Sequence, residues 1–131
     1  MTPYILAVLA LYFVQTFAPS LTRSAAAGES MLKVGIGPRD DLPEAGLRVR
    51  RFMRATENMK EALFLFLPIA LLCEMKGLGD SMATTGALIF LIARVIYIPC
   101  YVFHPPLMRP LVWLTSLSGI ALMITALLQS G

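Results

Sequence analysis

The sequence predicts an all-α integral membrane protein, a four-helix bundle forming a single domain over residues 1–131. Two observations carry that prediction. The chain is 57% hydrophobic and 15% charged, whereas a soluble domain carries about 25% charged residues, and its mean hydropathy is +0.73. Four apolar stretches run Pro3 to Thr22, Ala62 to Cys73 with an amphipathic lead-in, Ala83 to Phe103 and Leu107 to Leu128. Counting the lead-in, each is about 20 residues, the length that crosses a hydrocarbon core of about 30 Å.

The first helix is predicted over about 3–22, with Thr2 as a cap and Pro3 in a tolerated first-turn position. A cleaved signal peptide is the rival reading, because Ala25-Ala26-Ala27 resembles a small-residue cleavage site. No Lys or Arg precedes the apolar run, however, and a signal n-region is normally basic. The helix is therefore expected to be retained. A loop follows over about 23–45, broken by Gly28, Gly35, Gly37, Pro38 and Pro43 and carrying the charged cluster Arg39-Asp40-Asp41. The second helix is predicted over about 46–75, with a kink at Pro68. The short turn Lys76-Gly77-Leu78-Gly79-Asp80 makes it an antiparallel hairpin with a third helix over about 82–103. His104-Pro105-Pro106 forms the next turn, and Pro106 starts a fourth helix over about 106–129. Cys73 and Cys100 fall near opposite ends of their helices and read as small buried residues rather than a bridge.

The formal charge of +3 is a topology signal rather than a nucleic-acid footprint. Arg23, Lys33, Arg39, Arg48, Arg50, Arg51 and Arg54 belong to the first connection or its helical continuation, and His104 and Arg109 flank the third. By the positive-inside rule those two connections face the cytoplasm and both termini face outward. His104 stands alone in a turn, and no second His or Cys offers metal spacing. No metal site is expected.

Polar residues inside the apolar runs need a reason. Arg51, Arg54, Asn58 and Glu61 share an arc of about 80° on the second helix. Arg94 sits within the third apolar stretch, with Tyr97 and Tyr101 inside an arc of about 60°. A charged side chain at a helix centre costs about 2.5–3.5 kcal/mol even on lenient insertion scales. Counted from the hairpin turn, Glu61 lies about 21 Å deep and Arg94 about 18 Å, so an ion pair between them is expected. Asn58 then comes level with Tyr97 and Arg54 with Tyr101, while Arg109 lies at the cytoplasmic rim. The result is a pocket open to the cytoplasm, cationic at its mouth, suited to a small flexible anionic ligand. The plainer alternatives are an interhelical clamp for Glu61 and Arg94 and a solvated helix end for Arg51 and Arg54. Lys60 points away from the stripe and snorkels.

The segment Arg51-Phe52-Met53-Arg54-Ala55-Thr56-Glu57-Asn58-Met59-Lys60-Glu61 resembles the R-x-x-R-A-x-x-N-x-x-E signature of the membrane-associated proteins in eicosanoid and glutathione metabolism, the MAPEG family. Ala93-Arg94-Val95-Ile96-Tyr97-Ile98-Pro99-Cys100-Tyr101 is similar to the pattern of its third helix. Arg109 matches an arginine at the start of its fourth, and Arg39-Asp40-Asp41-Leu42-Pro43 resembles the first loop of bacterial members. The resemblance spans the whole chain. It implies a homotrimer in the bacterial inner membrane, binding glutathione as co-substrate at subunit interfaces from the cytoplasmic side. Arg51, Arg54, Asn58, Glu61, Arg94, Tyr97 and Tyr101 would grip or brace the tripeptide, Arg23 of a neighbouring subunit would add to the site, and Arg109 would stabilise the thiolate.

The implied activity is a glutathione-dependent transferase or peroxidase acting on lipophilic electrophiles delivered by membrane lipid. Pro110 follows Arg109 where some enzymatic members carry Ser, Trp113 stands where an aromatic hydroxyl is expected, and Thr56 and Glu57 replace a His and a basic residue of certain members. These departures keep open a non-catalytic lipid-binding scaffold of the same fold. A small multidrug exporter, the third reading, is expected to place an acidic residue in its first helix, and none lies between Thr2 and Thr22.

Overall fold

The computed structural model describes residues 1–28, 30, 32, 46–79, 82–103 and 107–131, with Val102 described by its backbone alone. Four helices account for nearly all of them: α1 (Thr2–Ala27), α2 (Leu47–Met75), α3 (Met82–Phe103) and α4 (Met108–Gln129). The Arg39-Asp40-Asp41 cluster and the His104-Pro105-Pro106 turn with its Pro106 start lie outside the described residues.

Each helix follows from its residues. Pro3 occupies the first turn of α1, where its missing N–H is no loss. α1 continues five residues past Thr22, because Ala25, Ala26 and Ala27 are the strongest helix formers. It stops at Gly28, whose φ of 65° and N–H bond to the Ser24 carbonyl make a left-handed cap. Arg23 therefore sits in a helix and not at the head of a loop. α2 buries a stripe of Ala55, Met59, Ala62, Leu63, Phe66, Ala70 and Cys73, the spacing of one helical face. Pro68 lies inside it. Both cysteines are free thiols, Cys73 buried and Cys100 half-buried.

α1, α3 and α4 are long and apolar enough to cross a membrane. α2 differs, since its apolar part from Ala62 to Cys73 spans only about 18 Å. Its remaining turns carry Arg48, Arg50, Arg51, Arg54, Glu57, Lys60 and Glu61. Many large apolar side chains point outward, among them Leu6, Phe13, Phe64 and Leu128. In water this would be a large exposed patch; against acyl chains it is an ordinary surface.

α3 and α4 make the most extensive contact, and α1 packs chiefly on α2, with a smaller contact to α3. The α3–α4 crossing is set by two glycines. A Cβ on Gly119 would lie 2.5 Å from the Gly86 carbonyl oxygen and 2.9 Å from the Phe90 nitrogen, and a Cβ on Gly86 would collide with the Gly119 carbonyl oxygen. Backbone therefore meets backbone, the close approach that small residues permit between membrane helices. Phe90, beside this crossing, stacks on Phe66 of α2 with ring centroids 4.3 Å apart. At the opposite rim, the Thr2 N–H and hydroxyl each donate to the Glu74 carboxylate at 2.8 Å, tying the start of α1 to the end of α2. Glu74 lies beyond the apolar stretch, and the Thr2 hydroxyl holds its carboxyl below the usual range.

Gly119→Val should lower stability by about 1–3 kcal/mol, the usual cost of overpacking, as Gly119 has no room for a side chain. Gly79→Ala, in open space, should be nearly neutral. Unfolding of both variants in one detergent provides the comparison; equal losses would mean that the glycine crossing is not a tight contact.

Candidate functional site

Arg94 projects from α3 into the middle of the bundle, where it is 2% exposed. Its Nη1 donates to Asn58 Oδ1 on α2 at 2.7 Å, and its Nη2 donates to Ser116 Oγ on α4 at 3.0 Å. The Ser116 hydroxyl in turn donates to the Trp113 carbonyl at 2.7 Å. The guanidinium carbon lies 5.2 Å from the centroid of the Phe90 ring and 5.5 Å from that of Tyr97, within the range of cation–π attraction. Arg94 Nε is buried without a hydrogen-bond partner among the described residues. A buried cation is thus held by neutral dipoles and ring faces, and it pins three helices at one level.

This arrangement corrects one expectation. Arg94 does not pair with Glu61; it pairs with Asn58 and Ser116. The depth count placed Glu61 and Arg94 at one level but said nothing of rotation. At about 100° per residue, Glu61 lies about 60° further from the buried stripe of α2 than Asn58 does. Glu61 is accordingly exposed, whereas Asn58 is half-buried and faces α3.

Glu61 instead borders a cleft of about 440 Å³, lined by Met53, Arg54, Glu57, Asn58, Glu61, Tyr97, Tyr101 and Arg109. Six of the nine residues singled out in the sequence meet there: Arg54, Asn58, Glu61, Tyr97, Tyr101 and Arg109. The helical phase of α2 and α3 and the first turn of α4 bring them together. Arg109 lies over the Tyr101 ring, its guanidinium carbon 4.2 Å from the centroid, and its Nε is buried without a hydrogen-bond partner among the described residues. Arg109 also borders a smaller cleft of about 270 Å³ with Tyr97, Pro110 and Trp113. Arg94 lies behind the main cleft, bonded to Asn58, and does not line it.

The other two residues lie elsewhere in this chain. Arg23 and Arg51 border a separate cleft of about 710 Å³ between the end of α1 and the start of α2, together with Arg48. Sequence reasoning passed over two participants. Glu57 adds a second carboxylate to the main cleft. Ser116 is a hydroxyl in the middle of an apolar helix, but Thr115 and Ser118 share that placement, so no signal in the sequence singles it out. A fourth, apolar groove of about 390 Å³ runs between α1 and α2, walled by Leu9, Leu63, Phe64 and Leu67 and edged by Tyr12 and Lys60. Lys60 lies 3.5 Å from Glu57. Among the described residues no cluster of His, Cys, Asp and Glu could hold a metal ion.

The sequence pattern of the MAPEG family matches residues 1–129. The chain belongs to the MAPEG family. No curated protein and no solved structure matches it. MAPEG proteins are four-helix membrane bundles, and this chain has that architecture. The family is generally associated with glutathione, and Arg54, Asn58 and Glu61 of α2 meet at the main cleft here, with Asn58 also bonded to Arg94, while Arg51 borders the separate cleft.

Hydrogen bonds to a charged group are worth about 1.5–3 kcal/mol, so Asn58→Leu should destabilise by an amount in that range. Double-mutant cycles separate the partners of Arg94. Asn58→Leu with Arg94→Leu should show a coupling of at least about 0.5 kcal/mol, while Glu61→Gln with Arg94→Leu should add to within about 0.5 kcal/mol. Strong coupling of Glu61 to Arg94 in unfolding measurements would contradict the arrangement described.

Proposed function

We propose that this MAPEG protein binds glutathione in the cleft between α2, α3 and α4 and uses its thiol on lipophilic electrophiles drawn from the bilayer, as a transferase or peroxidase. The single observation that carries this reading is the convergence of Arg54, Asn58, Glu61, Tyr97, Tyr101 and Arg109 on one cleft. Glutathione offers two carboxylates, an ammonium and a thiol. Arg54 and Asn58 suit a carboxylate, and the Glu61 carboxylate suits the ammonium. Arg109, with a buried Nε that no described residue satisfies, suits a second anionic group. Arg51 adds to the field at the mouth, and Arg94 braces the floor through Asn58.

Arg109 is the residue placed to activate the thiol. A thiol is nucleophilic only as thiolate, and adjacent positive charge lowers its pKa. The first turn of α4 adds its helix-dipole field to that of the guanidinium. The proton leaves to water at the cleft mouth. In transfer, the sulfur lone pair attacks an electrophilic carbon and the electrons of the broken bond leave with the displaced group. In peroxide reduction it attacks oxygen, the O–O bond breaks to release an alkoxide that takes up a proton, and a second glutathione converts the resulting sulfenic acid to glutathione disulfide and water. Lipophilic partners reach the site from surrounding lipid along the apolar outer faces of the helices.

The same reading includes assembly and topology. Arg54, Glu57 and Glu61 are exposed on a single chain, at a level where hydrocarbon would penalise them, and a homotrimer covers them. The neighbouring subunit then contributes Arg23. The basic residues of the first and third connections turn the cleft toward the cytoplasm of a bacterial inner membrane, with the termini outward. Native mass spectrometry in mild detergent should give a trimer; monomer alone would refute the assembly.

Bound glutathione should ionise well below the pKa of about 8.5 of a free cysteine thiol, giving thiolate absorbance near neutral pH. Arg109→Leu should abolish that absorbance while binding, followed by calorimetry, weakens only modestly. Binding without thiolate absorbance in the wild type would favour the scaffold reading, which the Pro110 and Trp113 lining beside Arg109 supports. Absence of binding would overturn the glutathione reading and leave the lipid-binding scaffold.

A further inference from the structure

Arginine has five N–H donors and no acceptor. The Asn58 atom that meets Arg94 Nη1 at 2.7 Å must therefore be the carbonyl oxygen Oδ1. That fixes which way the amide faces. Its Nδ2 is left at the opposite end, on a residue that borders the cleft, and has no partner among the described residues. Arg94 is itself held in place. The Ser116 hydroxyl commits its proton to the Trp113 carbonyl, so toward Arg94 Nη2 it can only accept. Ser116 is 1% exposed and Arg94 2%, so water does not compete for these bonds.

An interhelical clamp by itself would be better served by aspartate at position 58. An ionised acceptor makes the stronger bond to a guanidinium and also neutralises its buried charge. Asparagine leaves that charge uncompensated and keeps two N–H donors. Both features suit an anion seated in the cleft.

We infer that Ser116 and Arg94 are positioning residues that hold the Asn58 amide with its Nδ2 protons toward the cleft, so that the ligand group seated on Asn58 is a carboxylate. The identity of that ligand rests on the glutathione reading; the orientation of the amide does not. Ser116 accepts from Arg94 and donates to the Trp113 carbonyl, so those two bonds strengthen each other, and the rigid planar guanidinium carries their constraint to Asn58. Removing the far end of this series releases the near one.

The test uses the fact that Asn58 is the sole asparagine of the chain. Full-length protein labelled with asparagine carrying nitrogen-15 in the side-chain amide gives one NH2 pair in detergent micelles. The wild type should show two distinct, slowly exchanging protons. Ser116→Ala should shift the pair and speed its exchange, while Ser116→Thr, which restores the hydroxyl, should return it toward the wild-type signal. Adding glutathione should move the pair, and glutathione diethyl ester, whose carboxylates are blocked, should bind at least about tenfold more weakly. In Ser116→Ala that gap should narrow to a few-fold. Asn58→Asp is the second variant: it keeps a partner for Arg94 and removes the donor, so it should match or exceed wild-type thermal stability and still lose glutathione.

An amide pair unmoved by Ser116→Ala in folded protein overturns the positioning role. Equal affinity for glutathione and its diester, or full binding by Asn58→Asp, overturns the carboxylate assignment. If the wild type ignores glutathione while Ser116→Ala still moves the amide pair, the glutathione reading falls and the positioning role stands. Titration with succinate then decides the carboxylate preference, because a pair unmoved by succinate overturns it.

Discussion

The burial of one guanidinium, that of Arg94, organises the rest of the structure. Removing such a cation from water costs several kcal/mol unless its protons find acceptors. Here each acceptor comes from a different helix, Asn58 from α2 and Ser116 from α4. The three helices cannot slide or rotate independently without stranding a buried charge. In a membrane, where apolar contact hardly distinguishes a helix from a lipid tail, such a constraint gives the bundle its register. The ring faces of Phe90 and Tyr97 complete the enclosure.

From that fixed point the cleft follows geometrically. With Asn58 turned toward α3, Arg54 and Glu61, one helical turn on either side, fall on the flank of α2 that opens outward. With Arg94 drawn inward, Tyr97 and Tyr101 stand one and two turns nearer the C-terminal end of α3, their rings 5.6 Å apart. Tyr101 there gives Arg109 a face to lie on. The polar half of α2 is thus one continuous surface, buried where it meets Arg94 and open where it meets solvent or another chain. Its short apolar half is the part that needs no such help.

Much of this was legible in the sequence, for an identifiable reason. Periodicity is local, so the grouping of Arg54 with Asn58 and Glu61, and of Tyr97 with Tyr101, could be read from spacing alone. Apolar length is also local, and it yielded the four helices. Rotation of one helix against another is not local, and there the reading went astray: Glu61 was matched to Arg94 by depth, while the buried stripe of α2 turned Asn58 inward. Ser116 escaped for the same reason, since nothing within α4 says which hydroxyl will meet a cation on α3. The longer α1 was readable in principle, because Ala25–Ala27 favour helix and Gly28 ends it, but the end of the apolar run masked the end of the helix.

The glycine crossing has a reach beyond packing. Ser116 lies three residues before Gly119, and Phe90, whose nitrogen Gly119 approaches, lies one turn from Arg94. The spacing of the α3 and α4 backbones at Gly86 and Gly119 therefore sets how far Ser116 stands from the guanidinium. A widening of a few tenths of an ångström there would lengthen the 3.0 Å bond at Ser116 without touching any cleft residue. The site is calibrated from behind, by two positions that contribute no side chain at all.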